Sequence, residues 1–241
     1  MQPATTNNGE SSSISLWLSA LPAEVAPLLA LLEKATSTRM AGQACWHGYL
    51  RGHGLYVAVS GVGGEPCKRA LVALLDSLPH ARVLLVGTAG AVNPALDIGD
   101  VVVASRAVSW PWQGQQALRL APVLGAIGGM PGLREEPEKE SARVFRIVSG
   151  CILSWDELVR DELLKARLHE NYGADCVDME TGYAARICAA RGVPFLAIRG
   201  ISDQANAQVG ELESADLAVA VWHATIVAVE ALTCSGGRAS T

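Results

Sequence analysis

Residues 194–203 of this chain read Pro-Phe-Leu-Ala-Ile-Arg-Gly-Ile-Ser-Asp, an apolar run that contains one arginine and ends in a Ser-Asp pair. Such a short, continuous apolar run is typical of a strand buried on both faces of a parallel sheet. Arg199 indicates a carboxylate or a bound ligand nearby, because charged side chains are almost never buried alone. The stretch therefore predicts a central strand with polar groups, Ser202 and Asp203, at its carboxyl end.

Similar apolar runs alternate with helical patterns along the rest of the chain. The pattern predicts strands over residues 14–18, 54–60, 83–86, 99–104, 145–153 and 194–201, and helices over residues 22–34, 66–76, 156–172, 181–191 and 215–233. This alternation predicts a three-layer α/β/α fold with a central, mostly parallel or mixed sheet. In such sheets, ligands bind at the carboxyl ends of the strands.

Three segments do not fit the alternation. Residues 1–13 are small, polar and aperiodic, which predicts a disordered lead-in, and residues 234–241 predict a flexible tail. Residues 105–145, which include Trp110 and Trp112, are rich in Pro, Gly and Trp and predict a long surface excursion. No linker or repeat divides the remainder, so we expect a single domain over residues 14–233.

Composition restricts the partners and the compartment. The net charge is −5 and no basic stripe is present, so nucleic acid is not an expected partner. The six cysteines form no CxxC pair and have no metal-ligand spacing with the histidines, which favours reduced thiols in a cytoplasmic protein without a bound metal. The apolar runs have strand length and no secretory signal is present, so no membrane association is expected.

The sequence also lacks the motifs of two common cofactor-binding loops. The chain has no Gly-Lys-Ser or Gly-Lys-Thr of a phosphate-binding loop, and its glycine spacing does not match the dinucleotide fingerprint. We therefore expect no cofactor, and the absence of the fingerprint argues against a dinucleotide-dependent dehydrogenase.

Polar residues cluster in four segments, each near the carboxyl end of a predicted strand. The segments are Ser19–Val25, Gly87–Ala91, Cys176–Thr181 and Ser202–Asp203. Each also has a structural explanation: Glu24 and Glu180 suit the positive ends of helices, Asp178 suits a helix cap, and Asp203 suits a turn. Because the carboxyl ends of parallel strands meet at one edge, we expect these carboxylates and Arg199 on one rim.

From about residue 14 to residue 232, the chain resembles the nucleoside phosphorylases and nucleosidases, and it is most similar to the 5′-methylthioadenosine/S-adenosylhomocysteine nucleosidase branch. Order, spacing and residue type agree over six motifs, namely Ala20…Glu24-Val25, Gly61-Val62-Gly63, Gly87-Thr88-Ala89-Gly90, Ile98-Gly99-Asp100, Val177-Asp178-Met179-Glu180 and Arg199-Gly200-Ile201-Ser202-Asp203.

The resemblance implies a cleavage of the bond between a purine and its ribose. Asp203, supported by Ser202, would protonate or hydrogen-bond purine N7. Glu24 would accept a proton from the attacking water, which Arg199 and Thr88 would position. These roles suit the chemistry, since an acid neutralises the leaving purine and a second carboxylate activates water on the other side of the sugar.

The resemblance also implies the residues that bind substrate. Glu180 would hold the ribose hydroxyls with Met179 against the sugar, and Gly90 and Val159 would line the site, with Val159 contacting the base. Leu158 stands where an aromatic residue often stacks on the base in the family. Two further departures are Asp178, in place of a glutamate, and the excursion with Trp110 and Trp112, so the 5′ group of the substrate stays open.

The nucleophile is a separate question. In the related phosphorylases an arginine that binds phosphate directly precedes the Val-Gly-Ser-type turn, and Leu85 occupies that position here. We therefore favour hydrolysis of an adenine-type nucleoside such as 5′-methylthioadenosine or S-adenosylhomocysteine. A phosphorylase that uses Arg106 or Arg69, and a nucleoside-binding sensor without turnover, remain alternatives. The family usually forms homodimers or larger homo-oligomers, which we expect here.

Overall fold

The structure, a computed structural model, describes residues 14–110, 118–120, 145–207 and 214–234. The predicted lead-in over residues 1–13, most of the predicted tail and Trp112 lie outside the described residues.

Strands and helices alternate along most of the chain. The strands are β1 (Ser15–Ser19), β2 (Glu33–Met40), β3 (Gln43–Leu50), β4 (His53–Val59), β5 (Arg82–Ala91), β6 (Val101–Ser109), β7 (Leu118–Arg119), β8 (Ile147–Ser154), β9 (Cys176–Asp178) and β10 (Phe195–Asp203), and the helices are α1 (Pro22–Leu31), α2 (Gly64–Ser77), α3 (Glu162–Tyr172), α4 (Thr181–Arg191) and α5 (Ser214–Cys234).

The strands form one mixed sheet in which β5 has three neighbours. It pairs in parallel with β1 and β10 and, through Gly90 and Ala91, antiparallel with β9. Strand β10 also pairs with β6, β6 with β8, and β8 with β9. Because β5 pairs with both β9 and β10, these five strands form a closed ring. On the other side of β5, the order continues through β1, β4 and β3 to β2.

Helices cover both faces of the sheet, as successive residues of β1 illustrate. Leu16 packs into a core with Leu71 of α2, whereas Trp17 packs into a second core with Leu28 of α1 and Val227 of α5. Side chains of a strand alternate between its faces, so this arrangement makes three layers. The predicted α/β/α fold with a mixed sheet is confirmed.

The segment after α1 differs from the sequence prediction. The helix ends at Leu31 instead of residue 34, and β2 and β3 follow it as an antiparallel pair that the sequence did not predict. Seven of the eight residues of β2 are exposed, so the strand has no apolar alternation to reveal it.

Three other boundaries move by about five residues or more, and the rest by fewer. Strand β5 extends through Gly87–Ala91, which the sequence pattern places after the strand, and β6 extends to Ser109 into the predicted excursion. Helix α3 begins at Glu162 rather than residue 156, because Asp161 is its N-cap and accepts the N–H of Leu164 at 2.7 Å. The predicted helix over residues 181–191 matches α4.

Helix α5 is the longest helix of the described residues, and His223 and Glu230 divide it into apolar runs of strand length. Residues Ala215–Thr233 have a mean hydropathy of 1.6 and are long enough to cross a membrane by length and composition alone. Half of this segment is buried inside the protein, where Val227 and Ala228 have no exposed surface. The helix also includes Cys234, the first residue of the predicted tail.

Candidate active site

A cavity of about 260 Å³ opens beside the carboxyl-terminal halves of β5 and β10 and the start of α1. It is lined by Ala20, Leu21, Glu24, Val62, Thr88, Ala89, Gly90, Glu157, Leu158, Val159, Val177, Asp178, Met179, Glu180, Ser202, Asp203, Ala205 and Leu217. Segments that are up to 197 residues apart in the chain therefore meet at one place.

Glu24 is held by four donors. Its Oε2 accepts the N–H groups of Ala20 and Leu21 at 2.9 and 3.0 Å, and its Oε1 accepts the N–H and the hydroxyl of Thr88 at 2.8 and 3.1 Å. Three of these donors are backbone amides, so only the Thr88 hydroxyl can turn away. The carboxylate is thus fixed in orientation, and the hydroxyl is the contact that another molecule can replace.

Arg199 lies beneath the cavity, with only 1% of its surface exposed. Its Nη2 is 2.6 Å from Asp178 and 3.4 Å from Glu180. Burial alone lowers the pKa of Arg199, but the charges of Asp178, Glu180 and Glu24 outweigh it and raise the pKa. The arginine inside the strand therefore has carboxylate partners, as the sequence indicated.

Asp178 anchors the short segment between β9 and α4. It accepts hydrogen bonds from the hydroxyl of Ser154 at 2.6 Å and from the N–H of Thr181 at 3.0 Å, in addition to its ion pair with Arg199. The carboxylate thus caps the first turn of α4 and orients the arginine at the same time. This segment carries Glu180.

Glu180 faces the cavity with an unusual proton affinity. Its Oε1 accepts the N–H of Gly63 at 2.7 Å, which joins α4 to the glycine-rich turn before α2. Burial raises the pKa of Glu180 to about 7, and neighbouring Asp178 and Glu24 act in the same direction, while Arg199 and the Gly63 N–H oppose them. Three carboxylates share one arginine here, so a proton near neutral pH relieves their repulsion.

Asp203 lies across the cavity at the end of β10. Its Oδ1 accepts the N–H of Ala205 at 2.8 Å, and its Oδ2 accepts the hydroxyl of Ser202 at 2.9 Å. Facing it, Gly90 leaves no room for a side chain, because a Cβ atom there would lie 2.6 Å from Oδ1 of Asp203. The glycine lets β5 and the aspartate approach each other closely.

The segment after β8 forms one rim of the cavity. Val159 is buried at 3% exposure, whereas Leu158 is 51% exposed at the mouth. Across from it, Leu21 and Val62 are 37% and 49% exposed. The mouth therefore exposes apolar side chains together with the carboxylate of Glu157, while the carboxylates of the floor are buried.

The charges around the cavity have one sign. Among the lining residues of the described chain, Glu24, Glu157, Asp178, Glu180 and Asp203 are acidic, and none is Arg, Lys or His. Such a cavity favours neutral or cationic ligands over anions.

The sequence model of the Phosphorylase superfamily matches residues 17–233, which is nearly all of the described chain. This chain belongs to the Phosphorylase superfamily.

Within the superfamily, the chain is similar to nucleosidases. It is 31% identical over 218 residues to a 5′-methylthioadenosine/S-adenosylhomocysteine nucleosidase of Mycobacterium bovis, covering 79% of this chain and 86% of the relative. It is 29% identical over 197 residues to an aminodeoxyfutalosine nucleosidase of Campylobacter jejuni, covering 78% and 85%.

A solved structure supports the same relationship. The fold matches a 5′-methylthioadenosine/S-adenosylhomocysteine nucleosidase of Colwellia psychrerythraea, in complex with adenine, with a TM-score of 0.81 and 25% identity over 92% of this chain and 96% of that one. The resemblance found from the sequence motifs is confirmed.

The structure brings nearly all of the predicted site residues to this cavity. The lining contains Glu24, Thr88, Gly90, Leu158, Val159, Met179, Glu180, Ser202 and Asp203. Arg199 is the exception. It is not a lining residue, because two carboxylates hold it beneath the floor, and its part in positioning the water stays a prediction.

The arginines considered for phosphate binding lie elsewhere. Arg106 donates to the carbonyls of Tyr172 and Gly173 in a separate recess, and Arg69 is exposed on α2. Leu85 is fully buried in the core. None of these three residues lines the cavity.

The sequence did not identify several lining residues. Leu217 comes from α5, and Ala205 follows β10. Glu157 was predicted to lie in the first turn of a helix, where an acidic residue is ordinary. Only its place beside Leu158 and Val159 could have indicated the cavity.

Proposed function

We propose that this chain is a nucleosidase that hydrolyses the N-glycosidic bond of an adenine-type purine nucleoside and releases the free base and a 5-substituted ribose. The observation that carries the proposal is the meeting of Glu24, Glu180 and Asp203 around one cavity. The similarity to nucleosidases supports it.

Asp203 acts as the general acid in the proposed reaction. As the bond between C1′ and N9 breaks, its electron pair moves to the purine, and the proton of Asp203 moves to N7. The two hydrogen bonds from Ala205 and Ser202 fix the carboxyl group at the cavity wall. General acid catalysis of this kind contributes ~10²–10⁴ in rate.

Glu24 acts as the general base. Water adds to C1′ of the cationic sugar and gives its proton to this carboxylate, which completes the hydrolysis. Thr88 donates its hydroxyl to Oε1 of Glu24, and a water molecule can take that position when the hydroxyl turns. Arg199 supports the pair from beneath the floor.

Glu180 binds the 2′ and 3′ hydroxyls of the ribose in this proposal. An acceptor there stabilises positive charge on the sugar, and Met179 packs against the ring. The N–H of Gly63 and the ion pair with Arg199 hold Glu180 in place. Gly90, Val159 and Leu158 form the walls for the base.

The acidic lining favours water over phosphate as the nucleophile. A phosphorylase binds a dianion with arginines or several N–H donors, and the cavity offers five carboxylates and no cationic side chain within the described residues. Base release from 5′-methylthioadenosine, measured with and without inorganic phosphate, tests this. Equal rates support hydrolysis, and a requirement for phosphate indicates a phosphorylase. No release of base from any of a panel of nucleosides indicates a sensor.

The relatives suggest which nucleosides to test. The names of two similar proteins contain the nucleosides 5′-methylthioadenosine, S-adenosylhomocysteine and aminodeoxyfutalosine. Adenine is the expected base, and chromatography of the products identifies it.

We also propose a homodimeric, cytoplasmic protein with one domain over residues 14–233. Leu21, Val62 and Leu158 expose apolar surface at the mouth, which a second copy can cover. The cysteines at positions 45, 67, 151, 176 and 188 are unpaired, as in a reducing compartment. Sedimentation and cell fractionation test these two points.

A further inference from the structure

One part of the cavity wall is a loop. Residues 155–161 connect β8 to α3, and they include Leu158 and Val159, the proposed walls for the base. The loop is anchored at two points, because the N–H of Trp155 donates to the carbonyl of the last residue of β9 at 2.8 Å and Val159 is buried. The three residues between these anchors are exposed, so side-chain contacts decide how firmly this part of the wall is held.

Asp156 ties the exposed part of this loop to α4. Its Oδ2 accepts the hydroxyl of Tyr183 at 2.6 Å. Tyr183 lies in the first turn of α4, three residues after Glu180, which is the N-cap of the same helix. The hydrogen bond therefore joins the wall for the base to the helix that begins at the proposed ribose carboxylate.

The ring of Tyr183 is itself fixed in place. It packs on Gly64 at the start of α2, where a Cβ atom would overlap the ring. Gly64 follows Gly63, whose N–H holds Glu180. The guanidinium of Arg186 also lies over the ring, 5.3 Å from its centroid. The hydroxyl thus extends from a rigid part of the site towards the loop.

The hydroxyl of Tyr183 keeps its proton at neutral pH. Burial raises the pKa of Tyr183 to about 12, and the hydrogen bond to Asp156 acts in the same direction. The donor therefore persists at every pH near neutrality, and its partner is a carboxylate, which is a stronger acceptor than a neutral group.

We propose that Tyr183 is a positioning residue for the base, which holds Asp156 and, through the chain, the wall at Leu158. A loop that is ordered before the ligand arrives loses less conformational freedom on binding, so the ligand binds more tightly. This inference rests on the base-binding role proposed above for Leu158 and Val159.

The proposal separates binding of the base from the chemical step. The proposed acid Asp203 and the proposed base Glu24 lie on β10 and α1, and their own hydrogen bonds hold them. Loss of the hydrogen bond between Tyr183 and Asp156 should therefore weaken binding of the purine more than it slows bond cleavage.

The first test is Tyr183→Phe, which removes the hydroxyl and keeps the ring on Gly64, so the fold should be retained. KM for 5′-methylthioadenosine and the Kd for adenine, measured by calorimetry, should both rise ~3–10-fold, whereas kcat should change by less than about twofold. Tyr49→Phe, at an exposed position of β3 outside the cavity lining, is the matched control and should leave all three values unchanged.

The second test is a double-mutant cycle. Asp156→Ala should raise the Kd for adenine by a similar factor, and the double variant should bind no more weakly than either single variant, because both substitutions remove the same hydrogen bond. If the two effects multiply, Tyr183 does not act through Asp156 and the proposal is overturned. A lower thermal midpoint in Tyr183→Phe with an unchanged Kd, as expected for a role in stability alone, also overturns it.

Failure of this inference is distinguishable from failure of the proposed function. If wild type releases base but Tyr183→Phe binds adenine with the wild-type Kd, the positioning role is overturned and the nucleosidase function stands. If wild type binds adenine but releases no base from any nucleoside tested, the nucleosidase function fails, and the Kd of Tyr183→Phe still decides this inference. If wild type does not bind adenine, the proposed walls for the base are wrong and this inference fails with them.

Discussion

Glu180 shows how a buried carboxylate takes its properties from its neighbours. Burial raises its pKa from 4.5 to about 7, and the carboxylates of Asp178 and Glu24 add to the effect, while Arg199 offsets part of it. The same residue is thus an acceptor for the Gly63 N–H and a group that titrates near neutral pH. Its protonation links the site to the stability of the whole fold.

The first prediction is a pH dependence of stability that Glu180 causes. The folded chain keeps a proton that the unfolded chain releases, so the free energy of unfolding falls as pH rises from about 4.5 to about 7. Glu180→Gln stays neutral, and its stability relative to wild type should therefore increase over this range by roughly 1–3 kcal/mol. Urea denaturation at pH 5 and pH 8 measures the change.

Glu170→Gln, on the exposed face of α3, is the control and should leave the difference between the two pH values as in wild type. Parallel stability profiles for wild type and Glu180→Gln would contradict the raised pKa.

The second prediction concerns Asp203. Asn at this position keeps an oxygen for the N–H of Ala205 and has no proton to give to the base, so kcat for base release should fall by ~10²–10⁴ while the fold is retained. Asp216→Asn, in the first turn of α5, is the matched control and should keep its activity. A near-normal rate in Asp203→Asn shows that another group protonates the purine.

At the scale of the elements, the pairing of β5 with β10 around Arg199 requires a glycine in β5. Gly87 lies opposite Arg199 in the pairing of the two strands. A Cβ atom at this position would lie 2.6 Å from Oε1 of Glu24 and would also contact Arg199. The absence of a side chain is therefore what lets the buried arginine cross the strand and reach its partners.

The third prediction follows from this contact. Gly87→Ala should destabilise the protein by ~1–3 kcal/mol, because the methyl group displaces a buried charge cluster that cannot move far. Activity should fall as well, since Glu24 shifts. Gly54→Ala, in β4, has no atom within 4 Å of the added Cβ and serves as the control. Equal thermal midpoints for the two variants would show that the cluster has room to adjust.

At the scale of the whole molecule, the burial pattern of α5 is that of a core helix and not of a membrane-spanning helix. Its residues are apolar enough for either, but Val227 is fully buried against the sheet and Trp222 is 46% exposed. A helix that is packed against the protein on one face tolerates charged residues on its opposite, exposed face.

The fourth prediction tests this difference. Val227→Asp should cost ~4 kcal/mol or more, since it buries a charge without a partner, whereas Trp222→Asp should cost about 1 kcal/mol or less. Denaturant unfolding of the two variants in buffer without detergent measures both. If Trp222→Asp is as damaging as Val227→Asp, the exposed face of α5 is covered in the protein.

Much of the fold could be predicted, since the apolar runs that form β1, β5 and β10 carry their signal locally. Helix α4 could also be predicted, since it ends at Gly192, which has φ 65°. Strand β2 could not be predicted, because it is held by its pairing with β3 and not by a buried face. Strand β9 has three residues, which is too short to show a period.

The sequence by itself determined the layered fold and the carboxylates at the strand ends, because apolar periodicity and local turns depend on near neighbours in the chain. Only the tertiary structure decided that β5 pairs with both β9 and β10, that Arg199 lies beneath the floor, and that Glu157 stands at the mouth. The physical reason is that strand register and buried charge pairs join residues far apart in the sequence, and their geometry exists only after the chain has packed.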